Sequence, residues 1–280
     1  MTMDRLTRTV REQIALGRLL PLGAPPDAVW ITERATVRAL RQAVASLPGI
    51  RLGDVAVSLA DPPDGGGAGD DGGDGVSQAY GAAPVGALPH VPLRVEAAFE
   101  AAVDEPLPRA ADRLREAIWQ TARERLGLAV RTVDLQVTGL IEADSAEAAG
   151  PASFEGADGP ADDEELGIGP GREAPSDTAT AVRTAVTAVP GVARLTRGLA
   201  GLGPGVRVRD LAAPEDVPGR QVQVQIAVAP GHWALEVARA VAGAAARAAA
   251  PGAPGPVLTA VVVTEAAADI VGEVVGRTAG

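Results

Sequence analysis

His90 and His232 are the two histidines of this 280-residue chain. A metal site needs several ligands that converge. His90 has no acid, Cys or second His at helical spacing, and His232 has only Glu236, four residues on. Asp70-Asp71-Gly72-Gly73-Asp74-Gly75 has the composition of a calcium loop. Counting from Asp70, however, position three is Gly72 and position twelve is Gly81, where an EF-hand needs oxygen ligands. Asp162-Asp163-Glu164-Glu165 lies in a Gly/Pro/Ala tract without the fixed geometry of catalytic carboxylates, and reads as a solvated charge block. Gly198, Gly201, Gly203 and Gly205 follow a predicted helix and precede a strand. That is the reverse of the order a dinucleotide fingerprint requires, so turn chemistry accounts for them. No G-x-S-x-G stretch occurs and no Ser lies near a His.

Cysteine is absent and all 25 basic residues are Arg. This excludes disulfides, thiolate nucleophiles, Schiff-base lysines and a Walker A loop. The expectation is a protein with no catalytic residues, no metal ligands and no cofactor. What remains is a charged helix face. Arg109, Arg113 and Arg123, with Arg115, share the polar side of a predicted helix over 106–126 with Asp112, Glu116 and Glu124. The three named first are the candidate partner-binding residues, facing an acidic partner or the chain's own acidic linker. Mixed signs equally describe a solvated helix face. No aromatic platform accompanies them, which argues against nucleic acid.

The elements that would position these residues occur twice. Leu47-Pro48-Gly49-Ile50 and Val189-Pro190-Gly191-Val192 each end an amphipathic helical stretch, at a constant offset of 142. A Pro-Gly step at that place stops a helix. The apolar positions before them, Val37, Leu40, Val44 and Leu47, then Ala179, Val182, Val186 and Val189, repeat the same intervals. Repetition of this kind means one unit used twice.

In the first unit, Trp30-Ile31 reads as a short strand with Thr32 as helix cap. A helix to about Ser46 and an alternating strand with Val55, Val57 and Leu59 follow. Leu93, Val95, Ala97 and Phe99 make a second alternating strand. Asp104 is expected to cap the long helix, which Gly127 ends, and Val133, Leu135 and Val137 form a closing strand. In the second unit no leading strand is visible. Its helix is expected over about 178–188 and a strand begins at Val206. The alternating strand with Val222, Val224, Ile226 and Val228 is placed at an offset of 129 from its counterpart. A helix over 232–249 and the run Val261-Val262-Val263 follow.

The expected fold is α+β: two tandem β-α-β-β-α-β-like modules, each a small sheet with two helices on one face. The domain reading is an N-terminal amphipathic helix and linker (1–26, the helix over 4–20 stopped by Pro21), and module one (27–141) with a disordered Gly/Asp-rich insertion (61–90). An acidic disordered linker (142–177), a degenerate module two (178–264) and a tail that can form a short helix (265–280) complete it. The N-terminal helix is open to docking on the protein, on a partner or on lipid.

The formal net charge of −11 is concentrated in the linkers. Residues 61–90 hold five Asp and no base, and 142–177 hold eleven acids and one Arg. The foldable parts therefore carry a small positive balance. No apolar run reaches the ~20 residues of a membrane span and no secretory core is present, so a soluble cytoplasmic protein is expected.

Ile31-Thr32-Glu33, the helix ending in Pro-Gly-Ile, and Gly127-Leu128-Ala129-Val130 leading into Val133-Asp134-Leu135-Gln136-Val137-Thr138-Gly139 together resemble the alkaline-shock-protein, or general-stress envelope protein, family of Gram-positive bacteria. The resemblance covers about 29–141 without the insertion, with a degenerate copy over about 178–264. Two departures stand out: Phe99 is followed by Glu100-Ala101-Ala102 where the family usually has a Tyr-Gly step, and the family is commonly Lys-rich. The resemblance implies a non-enzymatic protein of cell-envelope homeostasis, often held at the membrane by a separate anchor protein, and the duplicated modules themselves offer self-association. It supplies no catalytic residues. The other reading from the element order is a small-molecule sensor built on paired ferredoxin-like domains.

Overall fold

The computed structural model describes residues 18–60, 83–84, 86–142, 172–174, 176–196, 205–211 and 218–266. Within them the protein is mixed α+β. Strands β1 (Leu19–Leu22) and β2 (Val29–Thr32) flank a short 3₁₀ turn, Pro25–Asp27. Helix α1 (Glu33–Val44), β3 (Ile50–Leu59), β4 (Leu93–Ala102), α2 (Leu107–Gln120) with a wide π-type turn (Thr121–Leu126), and β5 (Val130–Ile141) follow. Then come β6 (Arg172–Glu173), α3 (Ser176–Thr187), β7 (Val192–Leu195), β8 (Val206–Leu211), β9 (Gly219–Val228), α4 (Ala234–Ala249) and β10 (Val257–Ala266).

Local chemistry explains most boundaries. Thr32 caps α1, its Oγ1 accepting from the Ala35 N–H at 3.2 Å. The α2 stripe Ala110, Leu114 and Ile118 continues through Ala122 and Leu126, all buried, and Gly127 ends it in the left-handed region at φ +86°. On β4, Leu93, Val95, Ala97 and Phe99 are buried in one file. The opposite file is polar and laced with ion pairs, Arg51–Glu100 at 2.7 Å and Arg94–Asp134 at 2.6 Å, so this sheet has one wet face.

The smaller sheet has the order β3-β4-β5, and the larger β1-β2-β10-β9-β8-β6, with β7 also on β9. The two share a register. Ile50 pairs with Ala101 and Val192 with Val228; Leu52 pairs with Phe99 and Leu195 with Ile226. Leu59 pairs with Leu93 and Asp210 with Arg220. The N–H of Ala102 donates to Gly49 O and that of Ala229 to Gly191 O, each at 2.8 Å. β5 and β10 break register at the same step, and the Thr138 and Thr264 hydroxyls donate to Phe99 O and Ile226 O at 3.2 Å in both cases. β7 and β8 together match β3, separated where β3 has its own bulge between Leu52 and Val55. Through β4 and β9 the equivalent residues are Val95 and Val222, not Leu93 and Val222, so the expected offset of 129 is two residues too long.

The six-element module on a single sheet is not what forms. β2, expected as the first strand of module one, pairs parallel with β10 in the other sheet, Val29 opposite Val261 and Ile31 opposite Val263. Its four residues are all buried, so it needs a sheet with two covered faces, and the larger sheet provides one. α1 packs on β3 and on β10, and a single apolar core runs through both halves. β4 and β5 are adjacent and parallel, as are β9 and β10. A ferredoxin-like order would set another strand between the members of each pair, so that expectation is corrected.

Other boundaries also move. Leu19 and Leu20, expected at the end of an amphipathic helix, lie in β1, and its lower residues fall outside the described part. Pro21 does not stop a helix but sits in an edge strand, where its missing N–H costs no ladder bond. Asp104 does not cap α2, which starts after Pro106 with no side-chain cap. Residues 86–90, expected within the disordered insertion, belong to the fold. Leu88 N–H donates to Leu19 O at 2.8 Å, and His90 sits edge-on to Trp30 at 5.5 Å, over an apolar cluster of Leu19, Trp30, Ala260 and Val262. The expected linker 142–177 ends earlier, since β6 and the start of α3 lie inside it. The expected short helix after residue 265 lies outside the described residues.

Candidate functional site

Trp119 and Trp233, two of the three Trp in the chain, face one groove of about 1140 Å³ at the seam between the halves. One wall is α2 from Asp112 to Gln120 with its π-type extension, and the other is the start of α4. Trp233 immediately precedes α4 and is 50 % exposed. Trp119 is half-buried against the core, and the Arg123 guanidinium lies over its ring, 5.5 Å from the centroid. That separation is within cation–π range.

The floor is fixed by close backbone approach. A Cβ on Gly127 would meet Leu235 Cβ at 2.6 Å, and one on Gly23 would meet Leu235 Cδ1 at 2.8 Å. Leu235 is therefore wedged between two positions that must be glycine, each already at positive φ. The π-type turn has a similar role. Gly127 and Leu128 N–H both bond Ala122 O, which closes the helix wide and brings Gly127 against α4.

Asp27 and Arg239 clamp one end of the seam. Arg239 Nε and one terminal N donate to the two carboxylate oxygens of Asp27, each at 2.8 Å, and Asp27 also accepts from Ala24 N–H at 2.7 Å. The guanidinium hydrogen bonds hold the Asp27 carboxyl below its ordinary pKa and push Arg239 further up, while burial of Asp27 partly opposes its shift. Asp112 and Arg115 form a pair at 3.0 Å on the α2 side. Carboxylates and guanidiniums of both signs thus surround an aromatic centre. Among the described residues no Ser, Thr, Cys, His, Tyr or Lys lines the groove.

The three Arg singled out from sequence do not form one patch. Arg123 is in the groove over Trp119, so the expectation that no aromatic accompanies these Arg residues is corrected. Arg113 is structural: it donates to Pro48 O at 3.1 Å and pairs with Glu105, which ties α2 to the Pro-Gly turn after α1. Arg109 is exposed in the first turn of α2, away from the groove lining. Sequence reading missed Trp119, Trp233, Leu235 and the Asp27–Arg239 clamp. The scarcity of Trp was the available signal, since two of three residues of a rare large type converge here.

His90 and His232 lie in separate surroundings. Burial beside Trp30 lowers the His90 pKa, partly offset by Asp27 and a backbone hydrogen bond with Leu22. His232 packs on the Pro-Gly turn, where a Cβ on Gly191 would come within 2.7 Å of its ring. Among the described residues no three His, Cys, Asp or Glu are grouped to hold a metal ion. No helix among them is long and apolar enough to cross a membrane. No protein-family model, no curated protein and no solved structure matches this chain.

Proposed function

We propose that this chain is a non-enzymatic interaction protein, built from two copies of one small α+β unit, that presents the groove between α2 and α4 to a protein partner. The carrying observation is the meeting of Trp119, Arg123 and a half-exposed Trp233 at the seam. Trp and Arg in a desolvated pocket are the residues that dominate binding energy at protein interfaces. Among the described residues the groove lining holds carboxylates and guanidiniums and no hydroxyl, thiol, imidazole or amine side chain, a composition that favours contact over turnover. The matching registers of the two sheets support the duplication. The resemblance to envelope-stress proteins supplies the setting: a cytoplasmic protein held at the membrane by an anchor partner, acting in cell-envelope homeostasis.

Photo-cross-linking from a groove position such as Glu124 tests this in the native cell. A discrete envelope-protein adduct that is lost in Trp233→Ala is the expected result. Adducts dominated by soluble metabolic enzymes, or adducts indifferent to Trp233→Ala, would overturn it. A second reading draws on the position of the groove between the halves, where a small ligand would bridge them. A metabolite that raises the melting temperature of the wild type and not of Trp233→Ala would favour that reading.

A further inference from the structure

β5 is the open edge of the smaller sheet: β4 occupies one side and, among the described residues, no strand occupies the other. The equivalent strand of the larger sheet, β10, has β2 on that side. The same edge is thus covered in one half and bare in the other. The bare one is also the more exposed: Val137 is 42 % accessible, whereas its counterpart Val263 is fully buried. An edge of this kind normally carries Lys, Pro or an inward-pointing charge that blocks pairing. Between Thr132 and Thr138 β5 has none of these.

The sequence of that stretch reads Thr132-Val133-Asp134-Leu135-Gln136-Val137-Thr138. It is the same in both directions, apart from Asp against Gln. Residues 132–137 run in unbroken register with Arg94–Phe99, and bulges at Arg131 and Thr138 bound the stretch. We infer that β5 pairs antiparallel with β5 of a second copy, across a twofold axis through Leu135. An isologous contact needs a self-complementary surface, and this strand is one. Leu135 meets Leu135 and Val133 meets Val137 on the core face. On the wet face Thr132 meets Thr138 and Asp134 meets Gln136, so no like charges oppose each other. The product is a six-stranded sheet, β3-β4-β5 continued by its symmetry mate, in which Val137 becomes covered.

A strand pair of this length buries less than the ~1,000 Å² of a stable interface, so the dimer dissociates in roughly the micromolar range. Sedimentation equilibrium of the full chain from about 1 to 300 µM would show a reversible monomer–dimer equilibrium. Gln136 is exposed, so changing it leaves the fold intact, which circular dichroism verifies. Gln136→Asp sets two Asp–Asp pairs across the axis, and Gln136→Arg sets two Arg–Asp pairs. The expected result is a dissociation constant about two- to thirty-fold higher for the first and lower by a similar factor for the second. A monomer over the whole range would overturn the inference. So would a dimer whose dissociation constant is the same in all three proteins, since another surface would then be holding it. Neither result bears on the groove, which lies on the helices.

Discussion

β5 and β10 hold equivalent places in sheets of the same register, yet Ala260 to Val263 are all buried while Val137 and Leu140 are exposed. On the core face the strands differ little, Leu135 and Val137 against Val261 and Val263, although on the other face Asp134 and Gln136 stand where β10 has Ala260 and Val262. What differs on the core face is the neighbour: β2 lies along β10 and α1 packs over it, and among the described residues nothing comparable lies along β5. Burial of a strand is therefore a property of what flanks it. A unit repeated in one chain need not bury the same positions twice.

Equivalent positions give direct ways to break this comparison. The largest effect is expected at the two Pro-Gly turns. A Cβ on Gly191 would meet Val237 Cγ2 at 2.6 Å and the His232 ring at 2.7 Å, but on Gly49 only Ala102 Cβ at 3.0 Å. Both carry positive φ. Gly191→Ala should cost about 3 kcal/mol and Gly49→Ala about 1 kcal/mol in urea unfolding, the excess being overpacking. Equal costs would mean that the second turn yields as freely as the first.

Next comes the strand pair itself. Val263→Ala removes fully buried methyls and should cost about 2–3 kcal/mol, while Val137→Ala should cost under about 0.5 kcal/mol at concentrations where the chain is monomeric. Parity between them would sink the claim that the β2–α1 flank makes the difference.

The clamp beside that flank sharpens the picture further. Asp27→Asn should cost about 1 kcal/mol, because Arg239 is half exposed and water screens the pair. The Asp27 carboxyl titrates below 3.8 when folded, so its contribution is complete above that pH and fades as the pH falls below it. Denaturation followed from pH 5 to pH 2 should flatten in Asp27→Asn.

The smallest effect concerns His90. Its folded pKa lies below 6.5, so the unfolded chain takes up the proton first and stability declines as the pH drops under 6.5. His90→Gln should remove that limb of the pH profile and leave the acid limb of Asp27 intact.

Much of the fold was legible from periodicity and stop signals. The Pro-Gly turns at Pro48-Gly49 and Pro190-Gly191, the Thr32 cap and the buried file of β4 all rest on local chemistry that the sequence states outright. The offset of β9 was misread because side chains in a strand repeat every two residues, so a slip of two leaves the apolar pattern unchanged. The partner of β2 was not legible at all. Four buried residues look the same beside either sheet, and only the tertiary arrangement decides. Leu19 and Leu20 fit a helix and a strand equally well in so short a run. The groove was hidden for the same reason as β2: Trp119 and Trp233 are 114 positions apart and come to face one groove through the packing of α4 on the π-type turn, as where Leu235 lies against Gly127.

The pairing of β2 with β10 ties residues some 232 positions apart, as between Thr32 and Thr264. Such a join is slow to close, because the intervening chain must first be gathered in. While the protein emerges from the ribosome, β1 and β2 have no sheet to enter and the far side of α1 stays bare until β10 has been made. The joining of β1 and β2 to the larger sheet is consequently a late step of synthesis. A fragment ending before residue 257 would expose the sticky surfaces that chaperones are built to hold.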